Sequence, residues 1–377
     1  MMNGRPEMVA GVGTISDFVS IKFANMSVLS AFMVVLMHVL KRNQAGGSLV
    51  WWVRQFTGEG ICRIAVPFFF LASGYFIARH FAEEKWWRNE TTKRLKTLLA
   101  PFLTWCCICF LLCSLIIVVG NLTQGRLWYE GVFSCQRLLV CFGINPFFVP
   151  ELRQLWFIRV LLILIIAAPL FRPLAMGRKA DRYIVLFWVV WLFGKFVWPE
   201  LYDTQWHAFM NFGLFSFEGL LFFFIGMRLR AVSFDWRMAS RLSWLLVLLC
   251  GCLILLSAKI LVWQGFHEAH CMASFYIPPL LFGIIGLMPS VRMPEVLYKF
   301  HFPLYLIHLN LVFIYIAFLS SELGKRLSLL IDPGMSCIGF VSCLFFVLSG
   351  SSICFILLDR VFKKNELIRI ALWGGRA

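Results

Sequence analysis

The chain has 377 residues, of which 60% are hydrophobic and 14% charged, and it carries a net charge of +16. An average soluble domain is about 25% charged, so this composition excludes a water-soluble globular protein and points to a polytopic membrane protein. The positive balance follows membrane orientation and contact with anionic lipid, and nucleic-acid binding is not expected from it.

A helix needs about 20 mostly apolar residues to cross the hydrocarbon, and the charge clusters cut the chain into about ten such segments. They are drawn at 23–40, 64–80, 98–120, 153–171, 183–199, 211–228, 242–263, 273–290, 300–320 and 335–359. The expected fold is therefore an all-α membrane bundle of one domain over residues 1–377, with a polar surface arm at 1–21 and a tail at 361–377. Short loops rich in Lys and Arg stay in the cytoplasm, and placing both termini there puts most of the 35 basic residues on that side. Arg79, Lys85, Arg88, Lys93, Arg94 and Lys96 all fall in one such loop. The first twenty residues lack the apolar core of a cleavable signal peptide.

Taken in order, the first span, FANMSVLSAFMVVLMHVL, closes with His38, followed by Lys41 and Arg42. An ionisable residue inside a span is a functional candidate by default, the alternative being a neutral imidazole satisfied by a neighbouring helix. The segment 43–62, with Trp51, Trp52 and Phe56, is expected to lie at the outer interface, where Trp prefers the headgroup level. Next comes RIAVPFFFLASGYFIAR, from Arg63 to Arg79, around which the rest is organised. Pro67 suits a first helical turn, and Ser73-Gly74 lets another backbone or a ligand approach closely. Arg63, Ser73 and Tyr75 are candidates for a site there. In TTKRLKTLLAPFLTW, the cations Lys93, Arg94 and Lys96 either snorkel to the interface or meet a phosphate-bearing ligand.

Thirteen Cys are scattered mainly through apolar spans and read as small buried residues; Cys106 and Cys109 form a C-x-x-C with no His or acid near them in sequence. The longest outer loop, 121–152, leads into ELRQLWFIRVLLILIIAAPLF. Here Arg153 and Trp156 stand at the membrane edge, while Arg159 lies one turn deeper and should face the bundle or a wet cavity. Glu218 in FSFEGLLFFFIGM is a buried acid, a candidate either for catalysis or for pairing with Arg159 or another Arg. His267, Glu268 and His270 sit on an expected outer loop and read as a solvated face, so no metal is expected. KFHFPLYLIHLNLVF then carries Tyr305, His308 and Asn310 inside an otherwise apolar helix, with His301 nearer its edge. The chain shows no inverted pair of broken helices, which disfavours a secondary transporter.

Five stretches together, VVLMHV, VPFFFLASGY, KRLKTLLAPFLTW, LWFIRVLLIL and FPLYLIHL, resemble the acyltransferase 3 family. Its members are ten-span membrane enzymes that acylate bacterial surface polysaccharides and lipids. The resemblance implies that His38 corresponds to the family's proposed catalytic His, Arg94 to part of its basic pair, and Tyr305 and His308 to its late Tyr and His. It also implies a bacterial inner-membrane protein with acetyl-coenzyme A, or another short acyl-coenzyme A, as co-substrate and no bound cofactor. Members typically carry an Arg eleven residues before the first-span His, where this chain has Ser27, and commonly a second basic residue where it has Thr97. Lys22 and Arg63 are the candidates to supply the missing charge.

Acyl transfer from a thioester to a hydroxyl needs a base and a stabiliser of the oxyanion, with both substrates held in reach. The imidazole of His38 suits the first task. The absence of a G-x-S-x-G motif favours direct transfer over a Ser intermediate. Arg63, Arg153 and Arg159 are candidates for the oxyanion or an anionic acceptor, Trp156 for stacking on a sugar ring, and Lys93, Arg94 and Lys96 for the donor phosphates. The expected function is thus an O-acyltransferase, most simply an O-acetyltransferase, acting on a surface glycan or glycolipid within the lipid membrane. The rival is a non-catalytic exporter, flippase or scaffold for an envelope glycan intermediate.

Overall fold

The computed structural model describes residues 12–40, 49–123, 127, 132, 155–197, 216–234, 236–264, 266–319 and 337–375. Every regular element among them is helical. In chain order they are α1 (Val12–Val39), α2 (Leu49–Val53), α3 (Ala65–Ala78), α4 (Trp86–Arg94), α5 (Ala100–Thr123), α6 (Trp156–Met176) and α7 (Ala180–Val197). There follow α8 (Phe217–Ala231), α9 (Trp236–Gln264), α10 (Phe266–Leu287), α11 (Glu295–Leu319), α12 (Cys337–Phe362) and α13 (Glu366–Trp373). A π-helical turn (Arg54–Gly58) and a 3-10 turn (Ile61–Ile64) join α2 to α3, and a second π-helical turn (Leu95–Leu99) joins α4 to α5.

Among the described residues, seven helices are long and apolar enough to cross a membrane, namely Phe18–Val39, Trp51–Ala78, Trp86–Val119, Trp156–Met176, Arg241–Ile260, Glu295–Leu319 and Ile338–Phe362. Phe275–Leu287 is a shorter apolar helix. Whole faces of α9 and α12 carry exposed Leu, Ile and Phe, including Leu245, Leu248, Phe345 and Ile353. Apolar surface of that extent is suited to lipid contact.

Two expectations change. The first helix begins at Val12 and not near residue 23, and Val19 and Lys22 are buried in the bundle. The Trp51 segment is not a separate piece but runs on through two short turns into α3, with Trp51 buried and Trp52 exposed.

The stretch around Gly74 is packed backbone to backbone against α8. A Cβ on Gly74 would stand 2.0 Å from the Phe223 carbonyl oxygen, and one on Gly226 would stand 2.0 Å from the Leu71 carbonyl oxygen. Removing both side chains lets the two helices approach more closely than any other residue allows. Asn25 of α1 accepts a hydrogen bond from Tyr298 early in α11, and His38 at the far end of α1 meets His308 of α11, so these helices run parallel. α3 runs antiparallel to both. Its Tyr75 stacks on Phe23, while Phe69 reaches Tyr305 and Gly58, before α3, backs onto Leu40.

Candidate active site

α1 and α11 bring two of the apolar bundle's polar residues together. The His38 and His308 rings lie 5.2 Å apart between centroids, and Tyr305 is 6.0 Å from His308. His308 is fully buried, and its Nδ1 sits 2.7 Å from the Tyr305 carbonyl and 3.2 Å from that of Leu304. Carbonyls only accept, so Nδ1 carries the proton and Nε2 presents a lone pair. That Nε2 is buried and has no hydrogen-bond partner among the described residues. An unsatisfied buried acceptor costs about 1–3 kcal/mol, a penalty that a purely structural His would shed.

Aromatic side chains wall this pair. Tyr305 packs against Phe69 of α3 and Phe157 of α6. Trp156 reaches Phe70, and Arg159 is buried in the first turn of α6. Cys109 of α5 donates to the Asn310 side-chain oxygen over 3.4 Å, which sets α5 beside the same stretch of α11. Cys106 and Cys109 are both buried.

A second polar cluster lies at the same end of the bundle. Arg63 pairs with Glu59, the Tyr276 hydroxyl donates to the Glu59 carbonyl over 3.3 Å, and Glu218 is within electrostatic reach of Arg63. Glu218 thus lies near the Arg63 cluster.

The opposite end carries the cations. Arg94 and Lys93 approach Glu90 at 3.6 and 4.0 Å, and His80 approaches it at 3.5 Å. Glu90 is buried, whereas Lys93 and Lys96 extend outward. Arg172 covers Phe81 and Trp86 and donates to the Phe81 carbonyl, fixing the approach to α4. Arg94 and Cys109 are fifteen residues apart along nearly continuous helix, which puts the cationic rim ~22 Å from the level of the His pair.

The structure thus gathers His38, Tyr305 and His308, with Trp156 and Arg159 in the first turn of α6, whose Phe157 packs on Tyr305, and sets Arg63 and Glu218 at the same end of the bundle. It separates Tyr75 from this group. Tyr75 stacks on Phe23, fifteen residues or ~22 Å before His38, and its hydroxyl accepts from Arg230. Its assignment to the acceptor or oxyanion is therefore corrected. Ser73 lies one turn from Phe69 toward Tyr75, beside the Gly74 contact. Lys22, five residues before Ser27 on α1, stands at the Tyr75 end and donates to the Gly286 carbonyl over 2.6 Å. Arg63 stands at the His38 end, and His38 is itself eleven residues or ~16 Å along α1 from Ser27. Arg153 lies outside the described residues. His267, Glu268 and His270 fall in the first turns of helix α10 and not in a loop, with their side chains outside the described residues. An apolar cavity of about 560 Å³ between α7, α8 and α10 has Arg228 and Asp181 in its lining, paired with each other, and no member of the His group.

Sequence reasoning missed Asn25, which ties α1 to the Pro289 and Val291 carbonyls. Its only signal was an amide in the middle of an apolar run.

A family model described as an acyltransferase domain matches residues 26–355, most of the chain. The chain belongs to the acyltransferase 3 family. As an acyltransferase 3 protein it is a membrane enzyme that transfers acyl groups other than aminoacyl groups. Neither the curated proteins nor the solved structures give a match. The matched region takes in the His pair, the Arg63 cluster and the cationic rim, but not α13.

Proposed function

We propose that this acyltransferase moves a short acyl group, most simply acetyl, from acyl-coenzyme A to a hydroxyl of a bacterial surface glycan or lipid-linked sugar. The bundle crosses the inner membrane about ten times with both termini in the cytoplasm, α7, α8 and α10 completing the set. The observation that carries the reading is the His38–His308 pair, a half-buried imidazole facing a buried one whose Nε2 is open.

His38 takes the proton of the acceptor hydroxyl as that oxygen attacks the thioester carbonyl. His308, its tautomer fixed by the Tyr305 carbonyl, holds the His38 ring or the hydroxyl through Nε2. Arg159 and Arg63 are the cations available to the oxyanion, and the thiolate of coenzyme A leaves. Lys93, Arg94 and Lys96 grip the donor's phosphates at the other end, so the pantetheine arm reaches through the bundle from the rim.

The test is incorporation of radiolabelled acetyl from acetyl-coenzyme A into envelope glycans and lipids by membranes holding wild type or His38→Ala at matched protein level. Removal of a general base lowers turnover by about 10²–10⁴-fold, so label should appear with wild type and all but vanish in the variant. Label unchanged by the substitution would remove His38 as the base.

A further inference from the structure

We propose that helix α13 is a bracket holding the donor-binding segment in position, which makes Trp373 and Gly374 positioning residues for the acyl donor. The proposal rests on the reading above that Lys93, Arg94 and Lys96 meet the donor's phosphates.

α13 is an amphipathic helix with a defined start and stop. The Asn365 side chain accepts from the Ile368 amide over 3.1 Å at its beginning. Gly374 ends it in the left-handed conformation (φ 64°), its amide bonded to the Ile370 carbonyl over 2.8 Å. Such a capped end is a folded feature, not a fraying tail. An ion pair between Arg369 and Asp359 ties the helix back to α12.

The other face of α13 is fixed to α5. Trp373 is fully buried, with its ring 5.9 Å from Trp105 and 5.5 Å from Phe355. The Trp105 indole donates to the Leu372 carbonyl over 3.1 Å. Gly374 then lies directly on the chain between the rim and α5, where a Cβ would stand 2.1 Å from the Thr97 carbonyl oxygen. Thr97 sits in the π-helical turn Leu95–Leu99, which follows Arg94 and contains Lys96. A π-helical turn is a rare insertion, and it shifts the direction in which neighbouring side chains project. The bracket therefore supports the one irregular turn that aims the donor's cations, from a segment outside the region shared with the family.

The experiment compares full-length wild type, Gly374→Ala, Trp373→Ala and Trp373→Phe in lipid nanodiscs. It reads the KM and kcat for acetyl-coenzyme A, the Kd of coenzyme A itself by calorimetry, and the thermal midpoint without ligand. Gly374→Ala and Trp373→Ala should raise both KM and Kd by about tenfold, as when a charge-assisted contact is misaimed, with kcat at saturating donor retained. Trp373→Phe should restore wild-type values. Unchanged KM and Kd in Gly374→Ala, or a fall in kcat with KM unaltered, would overturn the bracket while leaving the proposed reaction intact. A wild type that neither binds coenzyme A nor uses its acyl ester would instead overturn the donor assignment, and the bracket with it. Should Trp373→Ala fail to fold, Gly374→Ala and Trp373→Phe carry the comparison.

Discussion

At the scale of single residues, the proposed chemistry depends on a proton placed by geometry. The Tyr305 and Leu304 carbonyls accept from one ring nitrogen of His308, leaving the other as an acceptor within a ring's breadth of His38. If the two imidazoles act as a unit, losing either removes most of what losing both removes. His308→Ala should therefore lower kcat by about 10–10²-fold, and the double variant with His38→Ala should be scarcely slower than His38→Ala alone. Single-turnover rates on purified protein measure this. Multiplicative losses would show that His308 acts independently, for instance on the acceptor. The His residues were legible because an ionisable group in an apolar span is conspicuous. Tyr75 was misplaced because sequence adjacency to Ser73-Gly74 hides depth. Six residues of helix, from Phe69 to Tyr75, carry the chain ~9 Å along the membrane normal and from the Tyr305 neighbourhood to that of Phe23.

Among the elements, the α3–α8 contact sets how the site is framed, since α3 also supplies Phe69 against Tyr305 and α8 carries Glu218 in its first turn. Ser-Gly inside a Phe-rich run announced a close backbone approach, and Gly74 makes one. Its partner Gly226, in the sequence Ile-Gly-Met, gave no comparable notice, because one Gly in an apolar helix has many explanations. Gly74→Ala and Gly226→Ala should each lower the stability of the purified protein by about 1–3 kcal/mol, the usual range for overpacking. Because each forces the same two backbones apart, the double variant should cost clearly less than the sum. Equilibrium unfolding in mild detergent tests this, and strict additivity would show that the two glycines relax independently. Other elements were hidden by their physics. The first turns of α1 are diluted by Ser16, Asp17 and Ser20, so a hydropathy reading starts too late. α13 is far shorter than a membrane span, and the two π-helical turns depend on backbone hydrogen bonds that no residue pattern reveals.

At the scale of the whole molecule, the cations and the His pair stand at different depths, and the proposed reaction requires the donor to span them. Lys93, Arg94 and Lys96 belong to the end that also holds Arg172 and the α13 bracket, while His38, Arg63 and Glu218 belong to the other. On the proposed topology the first end faces the cytoplasm, so a charged donor that does not cross lipid must enter there. Inverted membrane vesicles, which expose the cytoplasmic face, should take up label from acetyl-coenzyme A. Right-side-out vesicles holding the same amount of protein should do so only after permeabilisation. A triple substitution of Lys93, Arg94 and Lys96 by Gln should raise the donor KM in inverted vesicles, since each lost phosphate contact weakens a charge-assisted hydrogen bond. It should spare the KM for the acceptor, which approaches from the other end. Equal labelling of intact vesicles of both orientations would mean that the donor does not enter at the cationic rim. Labelling of the right-side-out set alone would invert the topology, placing the rim outside and the His pair nearer the cytoplasm.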